Sequence, residues 1–358
     1  MPPAATGLSH RMLALLVLWQ AIFWVPARSD GSQWTYAGPH GQDQWPDTFP
    51  DCGGTAQSPI NIQFSDVQYN DSLPPIQPEG YRRPVSPAFT LTNNGHTVEM
   101  SLPESMFLRG LPKRYSAVQL HLHWGSRDHP GGSEHQLNGE PFPAELHIVH
   151  FNSERYANLS QAKNKPDGLA VLGILIEAGE TVNKAYDKIL NFLENVTHEG
   201  DKVLIPSFDV HQLLPETLDQ FFRYRGSLTT PPCHQSVLWT VFHQRVQLSG
   251  SQLEKLQRGL YSTEPGISPM TIVDNFRVVQ MLNQRTVYSS FPVDSMFTYS
   301  AGVVVAIVFG ILFGFLGLFV TAHIIVKKIR ANSRNGQKEV VLKSSSTLPP
   351  EPDASANI

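Results

Sequence analysis

The stretch QLHLHWG, residues 119–125, sets both the fold and the chemistry expected of this 358-residue chain. Successive side chains of a β-strand point to opposite faces, so Gln119, His121 and His123 share one face. The apolar residues between them share the other face. The stretch therefore predicts a strand that presents two imidazoles on one side and packs a hydrophobic core on the other.

A second stretch, AELHIVHF at residues 144–151, alternates in the same way and places Glu145, His147 and Val149 on one face. If the two strands pair antiparallel, His147 joins the two histidines of the first stretch. Three neutral histidine nitrogens with a fourth position left for water form a catalytic zinc site. A His-x-His pair alone is equally consistent with hydrogen-bonded core or surface histidines.

The two ends of the chain differ from the rest. An apolar run at residues 12–25 follows Arg11 and is too short to span a bilayer, so residues 1–29 are predicted to be a signal peptide. Residues 301–326 begin with a long apolar stretch of the length needed to cross the hydrocarbon core and predict a transmembrane helix.

Basic residues set the expected orientation. Lys327, Lys328 and Arg330 follow the apolar segment and should stay cytosolic, so residues 327–358 are expected to form a cytoplasmic tail at the plasma membrane. The polar, serine-rich part of that tail, residues 332–358, predicts disorder. A G-x-x-x-G pattern at Gly310 and Gly314 permits close helix approach and suggests a homodimer.

The remaining residues are expected to form one extracellular domain, 30–291, joined to the membrane by residues 292–300. The signal peptide and tail hold eight of the 27 basic residues and three of the 31 acidic ones, so the external part is near −9 in net charge. That surface makes nucleic acid an improbable partner.

Short β-branched and aromatic runs between turn residues predict many strands around one buried sheet, with helices at the periphery. The predicted strands are 89–91, 97–102, 115–124, 146–151, 169–177 and 237–242. The predicted helices are 183–193, a short segment near Leu213, and 249–260, with Ser249 or Ser251 as its cap.

Extracellular features support this location. An even cysteine count in an oxidising compartment favours a disulfide between Cys52 and Cys233 over two free buried thiols. Three sequons, at Asn70, Asn158 and Asn195, predict surface glycosylation.

An ordered set of motifs along residues 34–291 resembles the alpha-class carbonic anhydrases. With the predicted signal peptide, the two cysteines and the predicted membrane span, the chain is most similar to the membrane-anchored extracellular members of that family. The resemblance implies a β-rich α+β fold, a single domain around a central, twisted, mostly antiparallel sheet of about ten strands with peripheral helices. The motifs are QSPINI (57–62), NNGHTVE (93–99), QLHLHWG (119–125), GSEH (132–135), AELHIVH (144–150), GLAVLGI (168–174), GSLTTPPC (226–233) and VLWTVF (237–242).

By this resemblance a Zn²⁺ cofactor is held by His121, His123 and His147. A metal-ligating histidine donates its other ring N–H to an acceptor that fixes its orientation. The resemblance gives that role to Gln119, to the backbone carbonyl of Asn275 and to Glu145.

The implied activity is the zinc-dependent, reversible hydration of carbon dioxide to bicarbonate and a proton, by attack of hydroxide on the carbon. Thr229 would orient the hydroxide while donating its own proton to Glu134, with Thr230 on the same polar wall. An apolar wall for carbon dioxide is implied at Val149, Val171, Leu228, Val237 and Trp239. Sensitivity to sulfonamide-type inhibitors is implied as well.

His96 matches the residue that exports the proton. A histidine of ordinary pKa, near 6.5, beside a zinc water of pKa about 7 exchanges protons almost without a free-energy difference. The resemblance places Tyr36, Asn93 and Asn94 along the water path to it. Glu99 departs from the better-known members and is expected to raise the pKa of nearby groups.

A second function remains open, a non-catalytic adhesion or receptor ectodomain on the same fold. That alternative predicts the loss of a zinc ligand, and all three are present. A zinc protease is weaker still, because the sequence contains no His-Glu-x-x-His.

Overall fold

The computed structural model of the chain describes residues 34–293 and 301–345, in two compact units that divide between residues 294 and 295. The first unit thus ends close to residue 291, the predicted end of the domain. The predicted signal peptide lies outside the described residues, as do residues 294–300 of the predicted connection and residues 346–358 of the tail.

A large mixed sheet of 13 strands organises the first unit and confirms the expected architecture. Most pairings are antiparallel; in this sheet β10 pairs parallel with β13 and β14, and β15 with β2. Several strands are only two or three residues long, too short to leave an alternating pattern in the sequence. The strands are β1 (Asn61–Ile62), β2 (Gln68–Tyr69), β3 (Gln77–Glu79), β4 (Ala88–Asn93), β5 (Val98–Ser101), β6 (Phe107–Arg109), β7 (Tyr115–Trp124), β8 (Gln136–Leu137), β9 (Ala144–Asn152), β10 (Leu169–Gly179), β11 (Lys202–Pro206), β12 (Phe221–Gly226), β13 (Val237–Phe242), β14 (Val246–Ser249) and β15 (Tyr288–Ser289), with β1 and β8 forming a separate pair.

Helices in this unit are short and peripheral. The predicted helix at 183–193 is only partly formed. An α-helical turn covers Asp187–Leu190, and a 3₁₀ turn begins at Leu193. The predicted helix at 249–260 is confirmed over a shorter span, and Ser249 caps it in a capping box with Gln252. The α-helices are α1 (Trp45–Thr48), α2 (Leu159–Ala162), α3 (Asp187–Leu190) and α4 (Gly250–Leu256); the 3₁₀ turns are Gly38–His40, Gln42–Gln44, Pro50–Gly53, Leu193–Asn195 and Val210–Leu213.

The sheet centre consists of β7, β9 and β10, which pair antiparallel in that order. Leu120, Ile148 and Leu172 form one row across these strands and belong to the main hydrophobic core. A bulge between Ala117 and Gln119 resets the alternation in β7, so Ala117 faces the same core as Leu120. The histidine face of β7 therefore begins only after the bulge.

Cys52 and Cys233 form the expected disulfide. It joins the 3₁₀ turn Pro50–Gly53 to the loop between β12 and β13. The N-terminal segment, which has little regular structure, is thereby attached to the loop that carries Thr229.

The second unit is a single helix, α5 (Ala301–Ser345), and its part Val305–Arg334 is long and apolar enough to cross a membrane. The helix continues well past residue 326, and the disorder predicted from residue 332 is wrong for residues 332–345. This segment contains no proline, and its residues from 337 onward include good helix formers, namely Gln337, Lys338, Glu339, Leu342 and Lys343. A Cβ at Gly310 or Gly314 would meet nothing within 4 Å in this single chain, so the dimer contact stays a prediction.

Candidate active site

Three histidines converge on one face of the sheet. His121 and His123 come from β7 and His147 from β9, and one ring nitrogen of each lies within 4.8 Å of the others. The closest pair, His123 Nε2 and His147 Nδ1, is 3.1 Å apart. The predicted ligands meet because the antiparallel register sets His121 directly opposite His147.

Burial favours the neutral form of the two β7 rings. It lowers the pKa of His121 well below its usual value, and the two neighbouring histidines lower it further. Burial also lowers the pKa of His123. A neutral imidazole has one nitrogen lone pair free, so the converging nitrogens fit the donor set of a catalytic zinc ion.

Each ring is also held from its far side. Gln119 Oε1 lies 2.8 Å from His121 Nδ1, and the backbone carbonyl of Asn275 lies 2.7 Å from His123 Nδ1. Both acceptors require a proton on Nδ1, which leaves Nε2 of each ring free for a metal. The Asn275 side chain further fixes β7 by accepting from the backbone N–H of Trp124 at 2.8 Å.

Glu145 orients the third ring. Its Oε1 accepts from His147 Nε2 at 2.8 Å and from His135 Nδ1 at 2.7 Å, while Oε2 accepts from the His135 backbone N–H at 2.7 Å. Burial alone would raise the pKa of Glu145, but the charges and hydrogen bonds of the two histidines hold it well below its usual value. Glu145 is thus an ionised acceptor, and His147 presents Nδ1 to the metal position.

A buried polar chain behind Glu145 was missed by the sequence analysis. His135 Nε2 lies 2.7 Å from the Tyr224 hydroxyl, which lies 2.9 Å from Ser58 Oγ. Ser58 Oγ in turn accepts from the Ser227 backbone N–H at 3.0 Å. His135 belongs to the GSEH motif. Nothing in the local sequence indicates that Tyr224, far away in the polypeptide, continues this series of hydrogen bonds.

Glu134 is a buried carboxylate beside the ligands. Its Oε1 accepts from the Arg277 backbone N–H at 2.8 Å. Its Oε2 has no hydrogen-bond partner among the described residues and lies 3.4 Å from His123 Nε2 and 3.8 Å from His147 Nδ1. A buried carboxylate oxygen is costly without a partner, so this arrangement fits a cation at the point where the ligand nitrogens meet.

The loop between β12 and β13 carries Thr229 and Thr230. Thr229 is buried, and the Thr230 carbonyl accepts from the backbone N–H of Cys233 at 2.9 Å. Within residues 34–293 the Thr229 hydroxyl makes no hydrogen bond to Glu134. The expected Thr229–Glu134 pair is therefore not formed in this structure.

Apolar side chains line the sheet beside the histidines. Val149, Val171 and Trp239 occupy one row across β9, β10 and β13, on the same face as His147. The ring centroids of Trp239 and His147 are 4.8 Å apart. Val237 shares that face two residues along β13, and Leu228 lies half-buried in the loop that precedes β13.

His96 lies in the turn between β4 and β5. Its ring stacks on Trp34 with centroids 3.7 Å apart and planes 8° from parallel. Burial lowers the pKa of His96 to about 4 in this position. The ordinary pKa expected from sequence is therefore not met while the ring is stacked.

The other residues expected on the proton path have distinct surroundings. Asn93 is buried, and its Nδ2 donates to three backbone carbonyls at 3.1 to 3.2 Å. Asn94 Oδ1 accepts from the backbone N–H groups of His96 and Thr97, so both asparagines hold the turn in shape. Burial, and then the charge of Glu134, raise the pKa of Tyr36 well above its usual value.

Glu99 is half-buried on β5, directly opposite His121 in the register of β5 and β7. Burial raises the pKa of Glu99 above its usual value. Glu99, the residue that departs from the better-known family members, therefore places a carboxyl group next to β7, the strand that carries His121 and His123.

A methyl group on Gly173 should disturb the metal centre. Its Cβ would lie 2.9 Å from Glu145 Oε1 and 3.4 Å from the Val241 side chain, so the carboxylate must move away from His147. We expect Gly173→Ala to weaken zinc affinity about tenfold or more, the usual cost of losing such an orienting contact, in a chelator competition titration. Gly250→Ala is the control, because its Cβ meets nothing within 4 Å. Equal affinities in the two variants would contradict the role of Glu145.

Removing the stacking partner should restore the titration of His96. We expect Trp34→Ala to raise the pKa of His96 from about 4 towards 6.5, followed by the NMR shift of its Cε1 proton. Between those two pH values a free imidazole is protonated and the stacked ring is not. The stacked arrangement is therefore destabilised relative to the free one as the pH falls. Val85→Ala, at an exposed position, should leave the titration unchanged. An unaltered pKa in Trp34→Ala would show that the stack is not the cause.

Comparison with known proteins agrees with this geometry. The family model for eukaryotic-type carbonic anhydrase matches residues 40–291. Human carbonic anhydrase 12 is 44% identical over 333 residues, which cover 92% of this chain and 94% of that protein. Dog carbonic anhydrase 6 is 41% identical, covering 78% and 87%, and mouse carbonic anhydrase 1 is 38% identical, covering 73% and 99%. The chain belongs to the eukaryotic-type carbonic anhydrase family.

Proposed function

We propose that this carbonic anhydrase hydrates carbon dioxide reversibly at a Zn²⁺ ion held by His121, His123 and His147, at the outer surface of the plasma membrane. The observation that carries the proposal is the convergence of three histidine ring nitrogens, each ring held from its far side by an acceptor. Zinc bound there supplies a Lewis acid that lowers the pKa of water to about 7, which makes a nucleophile available at neutral pH.

Thr229 and Glu134 would orient that nucleophile. An ionised carboxylate only accepts hydrogen bonds, so a Thr229 hydroxyl that donates to Glu134 is left to accept a hydrogen bond from the attacking oxygen. The Arg277 backbone N–H already holds the other carboxylate oxygen of Glu134. Glu134 Oε2 is the atom left to receive the Thr229 proton, with Thr230 beside it on the polar wall.

The apolar wall would hold the substrate. Carbon dioxide offers no proton and only weak acceptors, so it binds best where water is excluded. An apolar surface next to His147 is formed by Val149, Val171 and Trp239. In this proposal Leu228 and Val237 extend that surface.

His96 would pass the released proton to buffer. In the stack on Trp34 its pKa of about 4 makes it a poor acceptor at neutral pH. The shuttle role therefore requires the ring to leave Trp34 and reach solvent, where its pKa returns to about 6.5. We place Tyr36, Asn93 and Asn94 along the water path to His96.

Several features support an extracellular domain on a single membrane span. The Cys52–Cys233 disulfide is typical of an oxidising compartment. Of the sequon asparagines, Asn158 and Asn195 are exposed and Asn70 is half-buried, and we propose all three as glycosylation sites. The basic residues after the apolar part of α5 favour a cytosolic C-terminus.

The direct test is stopped-flow hydration of carbon dioxide by the purified chain in detergent micelles. We expect fast turnover that is lost on zinc chelation, restored by added zinc, and reduced at least 10³-fold in His121→Ala, because zinc supplies the nucleophile. His129→Ala is the matched control, because this histidine is exposed and is not one of the proposed zinc ligands. A folded, zinc-loaded chain without activity would instead favour the adhesion or receptor alternative.

The shuttle has its own test. We expect His96→Ala to lower turnover about tenfold in dilute buffer, because no side chain relays the proton, and to recover in the presence of imidazole. The same stopped-flow assay at two buffer concentrations measures both effects. Turnover that is unchanged under both conditions would remove His96 from the proton path.

A further inference from the structure

The end of α5 presents one histidine and three cations on one face. His323, Lys327, Arg330 and Arg334 follow one another at intervals of four, three and four residues. At 3.6 residues per turn they fall within an arc of roughly 60° around the helix. All four side chains are exposed, and they border one strip of surface with Phe319 and Val326. We call these four residues the cationic stripe.

No acidic residue lies along the stripe. The sequence of residues 301–338 contains no aspartate or glutamate, and the first carboxylate of α5 is Glu339. Lys328 lies off the stripe, turned away by roughly 130° from its centre. The positive charge is therefore concentrated along one line and is free to meet an external anion.

The depth of the stripe matches lipid headgroups. Residues 301–322 extend for about 33 Å as a helix, against a hydrocarbon core about 30 Å thick. His323 therefore lies at the boundary, and Lys327 and Arg330 lie about 7 and 12 Å beyond residue 322. These two residues reach the phosphate layer, and Arg334 reaches about 18 Å, where only a headgroup that protrudes from that layer is within contact.

We propose that the cationic stripe binds the headgroup of a phosphoinositide, an inositol lipid that carries several phosphate monoesters. Each monoester carries a charge of about −1.5 to −2, so one headgroup matches the stripe, whereas phosphatidylserine offers one net charge. Arg330 and Arg334 can bind phosphate oxygens in a bidentate manner, and Lys327 adds a point charge. Such lipids lie in the cytosolic leaflet, so the inference rests on the membrane orientation of the proposed function.

The small residues of the span do not compete for this surface. Gly310, Gly314 and Gly317 lie on a face turned roughly 130° from the stripe. A second helix packed against those glycines would leave the stripe open to lipid. The site is therefore available to a single chain or to a pair.

The test uses the full chain in phosphatidylcholine nanodiscs that contain a trace of spin-labelled phosphoinositide. We measure the fraction of label that the protein immobilises. We expect Lys327→Gln/Arg330→Gln to lower the relative association constant roughly tenfold or more, because each basic residue near the surface contributes strongly to anion binding. The matched control Lys328→Gln/Lys343→Gln removes the same charge off the stripe and should change the constant less than twofold.

Two outcomes would overturn the proposal. Equal losses in the two double variants would show diffuse attraction to the tail. Equal immobilisation of spin-labelled phosphatidylserine at matched total charge would show that no multiply phosphorylated headgroup is recognised. Hydration of carbon dioxide in the same nanodiscs is measured in parallel. Its failure would count against the zinc mechanism alone, because lipid binding in a nanodisc needs no activity and both leaflets of the nanodisc have the same composition.

Discussion

The antiparallel register between β7 and β9 is the constraint on which the site depends. It sets His121 opposite His147 and, through alternation, puts His123 on the same wall. The opposite face of the same strands forms the main hydrophobic core. A slip of one residue would bury imidazoles in that core and expose leucines, so the free energy of core packing also holds the metal ligands together.

Two buried carboxylates behind this wall are satisfied in different ways. Glu145 accepts three hydrogen bonds, all from His135 and His147, and stays ionised without further help. Glu134 accepts one from the backbone of Arg277 and directs its other oxygen towards the ligand nitrogens. Burying an unpaired carboxylate costs several kcal/mol, so a cation at the histidines would stabilise the fold as well as supply the chemistry.

Arg277 connects this electrostatic arrangement to the N-terminal segment. Its guanidinium donates to Gln57 Oε1 at 2.7 Å and to the carbonyls of Ser58 and Cys52 at 3.0 and 2.9 Å. Burial lowers its pKa to about 10, against the opposing charge of Glu134, so it remains protonated at neutral pH. One buried cation thus joins the disulfide region, the N-terminal segment and the carboxylate beside the ligands.

The sequence by itself determined the strands around QLHLHWG and AELHIVHF, the three histidines that converge there and the disulfide partners. A run of β-branched and aromatic residues between turn residues is a local pattern, and β7 and β13 begin and end at the predicted residues. Composition alone was less reliable, since the polar segment after residue 332 continues α5 rather than becoming disordered. Only the tertiary structure decided that Tyr224 and Ser58 extend the support of Glu145 and that burial lowers the pKa of His96 to about 4 where its ring stacks on Trp34. Those contacts join residues far apart in the chain, and their burial and distances exist only once the sheet has closed around them.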